Sequence, residues 1–489
     1  MPILLVVNDP KAWPLDIPGV EVVAARKYLT DSQYSDMRGA KVFNLCRHYR
    51  YQATGYYVTL LAEARGHRPQ PDIATIQGFR SVSIAREMSE DLVDVIQSSL
   101  GPLRSKHFEL SVYFGRNLAK RYSRLSLRLF NLFPVPLLRA YFIREDGKWL
   151  LHRVSPISAS EIPIGHIPFL LEAAATYFSR RRWSVPKKKP PRYSMAILRN
   201  PEETHSPSNE RAVQKFIKAA SRVGIEAEVI TKQDYGLLAE YDALFIRETT
   251  AVNHHTFRFA HRAQTLGLEV IDDPQSILRC TNKVFLAELL EHHGIPIPKT
   301  RIVHRENIDA VRQEIGLPCV LKQPDSSFSQ GVVKVQNEQD YNDAIEKLLS
   351  RSDLVIAQEF LPTEYDWRIG VINGSPLWAC RYYMADNHWQ IIQQKGTEPI
   401  FGKVESLPID QVPDKILKTA IDAATLIGKG LYGVDLKQSG NRCYVIEVND
   451  NPNIDAGYED KILGDELYRR IIAVFIERIE RGKSWEPGI

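Results

Sequence analysis

The stretch RRRWSVPKKKPPR at residues 180–192 constrains this chain more than any other. Its dense cations and its prolines, which cannot continue a helix or donate to a ladder, interrupt the apolar periodicity on both sides. No single domain runs through it, and it reads as a solvated linker in preference to a contact with phosphate or an acidic surface. At about 150 residues per domain, the 489 residues have room for roughly three domains. With 44% hydrophobic and 25% charged residues the chain has enough apolar surface to offset ordering entropy, which excludes a wholly disordered protein.

No apolar run approaches the ~18–20 residues of a membrane span. The longest candidate, residues 127–142, contains Arg128, Pro134, Pro136 and Arg139. The opening MPILLVVNDP is too short and lacks a basic start, so it reads as a first strand and not a signal peptide. Cys46, Cys280, Cys319, Cys380 and Cys443 lie far apart with no C-x-x-C, against the usual zinc spacing and in keeping with a reducing compartment. The expectation is a cytoplasmic protein with no membrane attachment; the oligomeric state is open, with room for a homo-oligomer.

Charge is uneven. Residues 101–192 carry 18 Lys and Arg against 5 Asp and Glu, or +13, so a net +4 leaves −9 elsewhere. Arg116, Lys120, Arg121, Arg124 and Arg128 recur at helical spacing with Tyr113, Phe114 and Tyr122 interleaved. That stripe carries an alternative function, a nucleic-acid- or ribosome-associated protein with salt-dependent phosphate affinity, which could modify a docked protein. A charged outer face is the preferred reading.

Along the N-terminal part, Ile3–Val7, Val20–Ala24 and Ala40–Asn44 read as strands, and Tyr51–Arg65 as a helix stopped at Gly66. A basic helix over Arg116–Leu132 and two strands sharing a turn at Glu145–Gly147 form an α+β extension. After the linker, MAILRN, EAEVIT, DALFIR and LEVID alternate with helices expected at 208–223 and 253–266, a βαβ order that predicts an open, mostly parallel sheet. A second α+β layout begins near residue 272.

The strongest local signal is LYGVDLKQSGNRCYVIEVNDNPN at 431–453. Gly440–Asn441 predicts a hairpin turn. Glu447 and Asn449, two apart, share a face, with Asp435 beside Glu447 on the preceding strand and Ile446 and Val448 turned to the core. Two carboxylates and an amide oxygen suit a hard divalent cation, or else form a solvent-facing polar stripe. Lys283 is expected at a helix start just after a strand and turn. Lys322 ends the buried-looking strand LPCVLK, ahead of DSSFSQGV. A lysine before a flexible loop with hydroxyls suits phosphate, though each lysine alone reads as a surface residue. In VIAQEFLPTEYDWRIGVING, the Gln358–Glu359 end of a strand and the connector after it offer backbone groups to an adenine edge, with Phe360 and Leu361 beside them. Asp366 suits ribose hydroxyls and Arg368 suits phosphates. Arg381 lies inside an aromatic run, where a guanidinium would be desolvated. Arg247 ends a strand and reads as a structural ion pair ahead of a substrate-carboxylate contact. The pairs His254–His255 and His292–His293 read as surface residues whose helical spacing places them poorly for sharing a metal.

In this order the pieces resemble the ATP-grasp superfamily, most nearly RimK-type carboxylate–amine ligases, over about residues 193–480. The first 185 residues resemble the N-terminal domain found on a subset of RimK-like ATP-grasp proteins. The resemblance implies a fold that mixes α/β and α+β: an N-terminal α/β domain with a basic α+β extension (1–185), a linker (186–192), an open-sheet pre-ATP-grasp domain (193–272) and a two-lobed ATP-grasp domain (273–482). It implies an ADP-forming ligase that joins a carboxylate to an amine on an amino acid, peptide or protein through an acyl phosphate. Lys283, Lys322, Ser326 and Ser327 would contact ATP phosphates, Gln358, Glu359 and Leu361 the adenine, and Asp366 the ribose. Arg368 and Arg381 would stabilise the transferred phosphoryl group, and Asp435, Glu447 and Asn449 would hold two Mg²⁺ ions, with Mn²⁺ as a substitute. Two departures stand out. The phosphate loop DSSFSQGV is not glycine-rich, and WQIIQQKG replaces an Arg-Ser-Asn element, with Gln390 or Lys395 as stand-ins.

Overall fold

The computed structural model describes every residue except 1, 14–16, 18, 38, 79–91, 159–160, 180–190, 205, 326–330, 386–388, 396–397 and 484–489. Most of the linker, and Ser326 and Ser327, lie outside the described residues. The chain divides into two units, residues 1–192 with 233–241, and residues 193–232 with 242–489. Among the described residues no helix is long and apolar enough to cross a membrane, and all five cysteines are buried and unbridged.

The first unit begins with a parallel sheet of Ile3–Val7 (β1), Val20–Ala24 (β2), Lys41–Asn44 (β3) and Arg68–Gln70 (β4), in the order β2-β1-β3-β4. An antiparallel sheet follows, of His107–Tyr113 (β5), Leu137–Glu145 (β6) and Lys148–Pro156 (β7). Asp146 and Gly147, both at positive φ, make the tight turn between β6 and β7 that the sequence predicts. The expected helix over Arg116–Leu132 is shorter. It occupies Ser123–Leu132 behind a 3-10 turn at Lys120–Tyr122. Asn117 explains the difference, because its side chain accepts from Ala119 N (2.8 Å) and donates to Ser111 O (2.7 Å), and so holds residues 116–119 against β5. Tyr113, Phe114 and Tyr122 are all buried, which leaves Arg121, Arg124 and Arg128 as an exposed face whose one aromatic contact among the described residues, Arg121 over Tyr122 at 4.6 Å, is to a ring already packed in the core. Residues 233–241 belong to this unit, where Glu240 meets Lys41 at 3.1 Å in a buried ion pair.

The second unit opens with a fully parallel sheet of Tyr193–Leu198 (β8), Ile225–Ile230 (β9), Ala243–Ile246 (β10) and Glu269–Ile271 (β11), ordered β11-β10-β8-β9. Apolar residues 212, 213, 216, 219 and 220 repeat at helical spacing, so the helix Glu210–Arg222 buries one face on this sheet. Asn209 caps it by accepting from Ala212 N at 2.9 Å. The C-terminal helix Asp465–Lys483 joins the same core through Tyr468, whose ring lies 4.7 Å from that of Phe216. Burial of each such aromatic contributes about 1.5–3 kcal/mol.

Two antiparallel sheets complete this unit. Thr300–Val303 (β12), Cys319–Lys322 (β13), Val332–Val335 (β14) and Val355–Glu359 (β15) run in the order β12-β15-β13-β14. Tyr365–Ile372 (β16) and Ser375–Tyr383 (β17) form the second with Val404–Leu407 (β20), Leu431–Ser439 (β21) and Arg442–Asp450 (β22), ordered β20-β17-β16-β21-β22. Ile392–Lys395 (β18) pairs with Glu398–Phe401 (β19). The helix Asp414–Ile427 covers one face of the five-stranded sheet, packing on Trp367, Ile369 and Val434. The opposite face is left to the site.

Candidate functional site

A cavity of about 2040 Å³ in the second unit is walled by both antiparallel sheets and by the loops that leave the carboxyl ends of β8 and β10. Ligands in open parallel sheets sit outside those strand ends. Ten of the residues expected to hold nucleotide, phosphoryl group or metal line this cavity: Lys283, Lys322, Gln358, Glu359, Leu361, Asp366, Arg368, Asp435, Glu447 and Asn449.

The hairpin β21–β22 turns at Gly440–Asn441 with Ser439 opposite Arg442, and sets Asp435 opposite Glu447 and Gly433 opposite Asn449. A bulge interrupts the register between Asp435 and Leu436, where Glu447 and Val445 pair with successive residues of β21. Ile446 is the extra residue. The expectation that it faces the core is corrected: Val445 takes the core position, and half-buried Ile446 lines the cavity.

Three carboxylates here, Asp435, Glu447 and Asp366, each face a cation. Arg368 donates from Nε and Nη2 to the two oxygens of Asp435 (2.6 and 2.7 Å), and its guanidinium stacks 4.9 Å from the Tyr382 ring. Asn449 Nδ2 donates to Asp435 Oδ2 at 3.1 Å. Lys283 Nζ lies 3.1 Å from Glu447. Lys437 Nζ donates to Asp366 Oδ1 and to Thr363 Oγ1, both at 2.6 Å, and Thr363 also donates to Asp366 Oδ1. Lys322 instead meets a neutral partner: it donates to Gln358 Oε1 at 2.7 Å, while Gln358 Nε2 donates to Thr300 Oγ1 at 2.9 Å. Arg368, Lys283, Lys322 and Lys437 thus gather beside Asp366, Asp435 and Glu447 as a local cluster of cations in a cavity whose whole lining, ten carboxylates against six Lys and Arg, is net acidic.

Burial pushes Lys322 down to about 8, with Glu447 opposing and Lys283 and Lys437 reinforcing the shift. For Glu447 burial acts upward, but Lys283 and Lys322 outweigh it and hold the carboxyl below its ordinary value. Burial wins at Asp435, which rises despite Arg368. Groups perturbed in opposite directions in one cleft mark a functional site.

Several residues fall elsewhere than expected. Arg381 is not in this wall. Strand alternation sends it to the opposite face of β17, over Tyr365 (4.9 Å) and Trp367 (4.7 Å) and 3.6 Å from Glu405, while Tyr382 takes the place facing the cavity. Lys283 does start the helix Lys283–His292, but a helix, Pro274–Thr281, precedes it where a strand and turn were expected. Among the described residues Arg247 makes no ion pair. Fully buried, it donates to Ser208 Oγ, Asn451 Oδ1, Pro207 O and Pro452 O, a hub that ties the end of β10 to the chain after β22. The His254–His255 pair is also different: His254 caps its helix in extended conformation (φ −109, ψ 163), and the two rings stand 3.9 Å apart.

Thr300, Thr363 and Lys437 escape sequence reasoning. Lys437 had a signal, since it stands two residues after Asp435 and shares its face. Gln390 lines the cavity, whereas the side chain of Lys395 is outside the described residues.

Comparison with known proteins supplies three findings. The family model of the RimK-like ATP-grasp domain matches residues 280–475, and that of the RimK-like ATPgrasp N-terminal domain matches residues 25–173. A probable alpha-L-glutamate ligase of Vibrio vulnificus is 26% identical over 222 residues, covering 45% of this chain and 71% of its own. The alpha-aminoadipate–LysW ligase LysX of Saccharolobus solfataricus is 26% identical over 252 residues, covering 49% and 88%. Among solved structures, a D-alanine–D-alanine ligase from Bacillus anthracis aligns at 15% identity with a TM-score of 0.47, over 59% of this chain and 97% of that one.

Proposed function

The chain belongs to the RimK-like ATP-grasp proteins and carries both of their domains, and from that premise we propose that it is an ATP-dependent carboxylate–amine ligase. The observation that carries the reading is the convergence of Lys283, Lys322, Asp366, Arg368, Asp435, Glu447 and Asn449 in one cavity between two sheets.

Lys283 and Lys322 hold the ATP phosphates, and Gln358 fixes Lys322 by accepting a hydrogen bond from its ammonium. Backbone groups at Glu359 and Leu361 meet the adenine. Both partners of Asp366 use Oδ1, so Oδ2 is the acceptor for ribose hydroxyls. Arg368 spends Nε and Nη2 on Asp435, so Nη1 is the donor for a phosphoryl oxygen. Asp435, Glu447 and Asn449 form an all-oxygen set fitting Mg²⁺ if the Asn449 amide presents Oδ1. Mg²⁺, when bound, neutralises charge on the β- and γ-phosphates.

A substrate carboxylate oxygen attacks the γ-phosphorus, the bond to the β-phosphate oxygen breaks, and ADP leaves. The acyl phosphate is then attacked by an amine nitrogen. Its C–O bond to phosphate breaks, the nitrogen loses a proton, and amide and phosphate depart. Arg368 and Lys322 supply fixed positive charge where negative charge develops, and the enclosing walls exclude water that would hydrolyse the intermediate. The substrates are of amino-acid or peptide class, as the names of the two curated relatives suggest.

The test is a screen of amino-acid and short-peptide pairs for ADP release, with product masses by mass spectrometry. The reading expects amine-dependent ADP and a product lighter than its parts by one water. It fails if Glu447→Ala leaves phosphate release intact.

A further inference from the structure

Glu248, His254 and His255 each bring a ligand atom to within 4.8 Å of the others. The three flank the loop 249–253, which lines the cavity without their own side chains doing so. Glu248 ends the approach from β10 at 2% exposure, and its Oε2 has no hydrogen-bond partner among the described residues. Its Oε1 lies 2.6 Å from His255 Nε2. That contact is an ion pair when the imidazole is protonated, and among the described residues Nε2 makes no hydrogen bond. His254 can join because the extended backbone at the helix cap brings its ring beside that of His255, and Thr256 Oγ1 at 3.1 Å from Nδ1 orients it. Glu203, which accepts from the backbone N and hydroxyl of Thr249, lies near enough for its carboxyl to feel both Glu248 and His255.

A buried carboxylate oxygen with no donor, on a carboxylate whose other oxygen touches one of two close, tilted imidazoles (3.9 Å, 48°), is costly unless something positive stands nearby. Tetrahedral binding at ~2.0–2.1 Å asks for donor separations of roughly 3.3–3.5 Å, so the Glu248–His255 pair opens from 2.6 Å while the three ligand atoms already lie within 4.8 Å of one another. Two nitrogens and one carboxylate suit a borderline dication of the Zn²⁺ or Co²⁺ kind, whereas Mg²⁺ prefers oxygen alone. We propose that Glu248, His254 and His255 bind such a transition-metal ion, which clips the two ends of loop 249–253 and so fixes that wall of the cavity. The site is separate from the oxygen set of Asp435, Glu447 and Asn449.

The full chain, stripped of metal by chelator dialysis, is titrated with Zn²⁺ and with Co²⁺ in the presence of excess Mg²⁺. The wild type should take up one ion per chain that Mg²⁺ does not displace, with the visible bands of four-coordinate Co²⁺. His255→Gln and Glu248→Gln should weaken uptake by about 10–100-fold, and Glu447→Gln should leave it unchanged. No such uptake by the wild type, or equal uptake by wild type and His255→Gln, overturns the proposal. Should the variants fail to fold, X-ray absorption at the zinc edge of the loaded wild type decides: two imidazoles and a carboxylate oxygen support the site, and a shell without imidazole overturns it.

Discussion

The two faces of the sheet β20-β17-β16-β21-β22 carry arginines of opposite fate. On the cavity face, Arg368 grips Asp435 with two short hydrogen bonds beside Glu447 and Asn449, and Lys437 engages Asp366. On the other face, Arg381 lies over the rings of Tyr365 and Trp367 near Glu405. Both guanidiniums sit on strands rich in aromatic residues, and composition alone does not separate them. What separates them is parity, because a shift of one residue on a strand exchanges core for cavity. An arginine among aromatics is therefore as good a stacking element as a catalytic one, and only its face decides.

The largest effect that sharpens this comparison is expected at Arg368. Arg368→Met should lower kcat for amine-dependent ADP release by about 10²–10³-fold, the scale of losing one charge-stabilising donor. Arg381→Met should leave turnover within about threefold and lower the melting temperature instead, since about 0.5–2 kcal/mol of cation–π stacking is lost. Equal kinetic losses in steady-state assays of the two variants would break the distinction.

A smaller effect follows from Lys322. Its folded value near 8 lies below that of a free lysine. As pH rises through about 8 the free protein loses this charge, so MgATP affinity should fall, whereas Lys322→Arg should hold its affinity past pH 9. The stability sign is opposite. Between the folded value and the ordinary lysine value the unfolded chain binds the extra proton, so this group lets stability rise with pH. Calorimetric titration and thermal melts at stepped pH check both. The smallest effect is expected in the first unit. Arg124→Glu with Arg128→Glu should leave ligation within about twofold, and the full chain should show no more salt-dependent RNA retention than this double variant, because the neighbouring aromatics are buried. Strong retention lost in the double variant would revive a nucleic-acid role.

Legibility followed periodicity. β1 and β2 match the runs read from sequence, and the parallel sheet β8–β11 lies where the βαβ order put it, because short apolar runs between helical stretches have few alternatives. The hairpin at Gly440–Asn441 was equally plain. Three features were not. The bulge at Ile446 has no sequence mark. Residues 233–241 join the first unit through tertiary contacts such as Lys41–Glu240. The pairing of His254 with His255 depends on a cap residue leaving helical geometry, which an ideal 100° step hides. For the site, residues on one strand were readable by alternation, while partners from other elements, Thr300 for Gln358 and Thr363 for Lys437, required the fold.

The central claim is that Lys322 and the Glu447 face grip one magnesium nucleotide. Isothermal titration of a non-hydrolysable ATP analogue with Mg²⁺ into wild type, Lys322→Met, Glu447→Gln and Arg381→Met tests it most directly. The account predicts saturable binding to the wild type and to Arg381→Met, weakened at least tenfold in the other two, on the scale of one lost charge-assisted contact. Equal affinity in all four proteins, or none in the wild type, would contradict it.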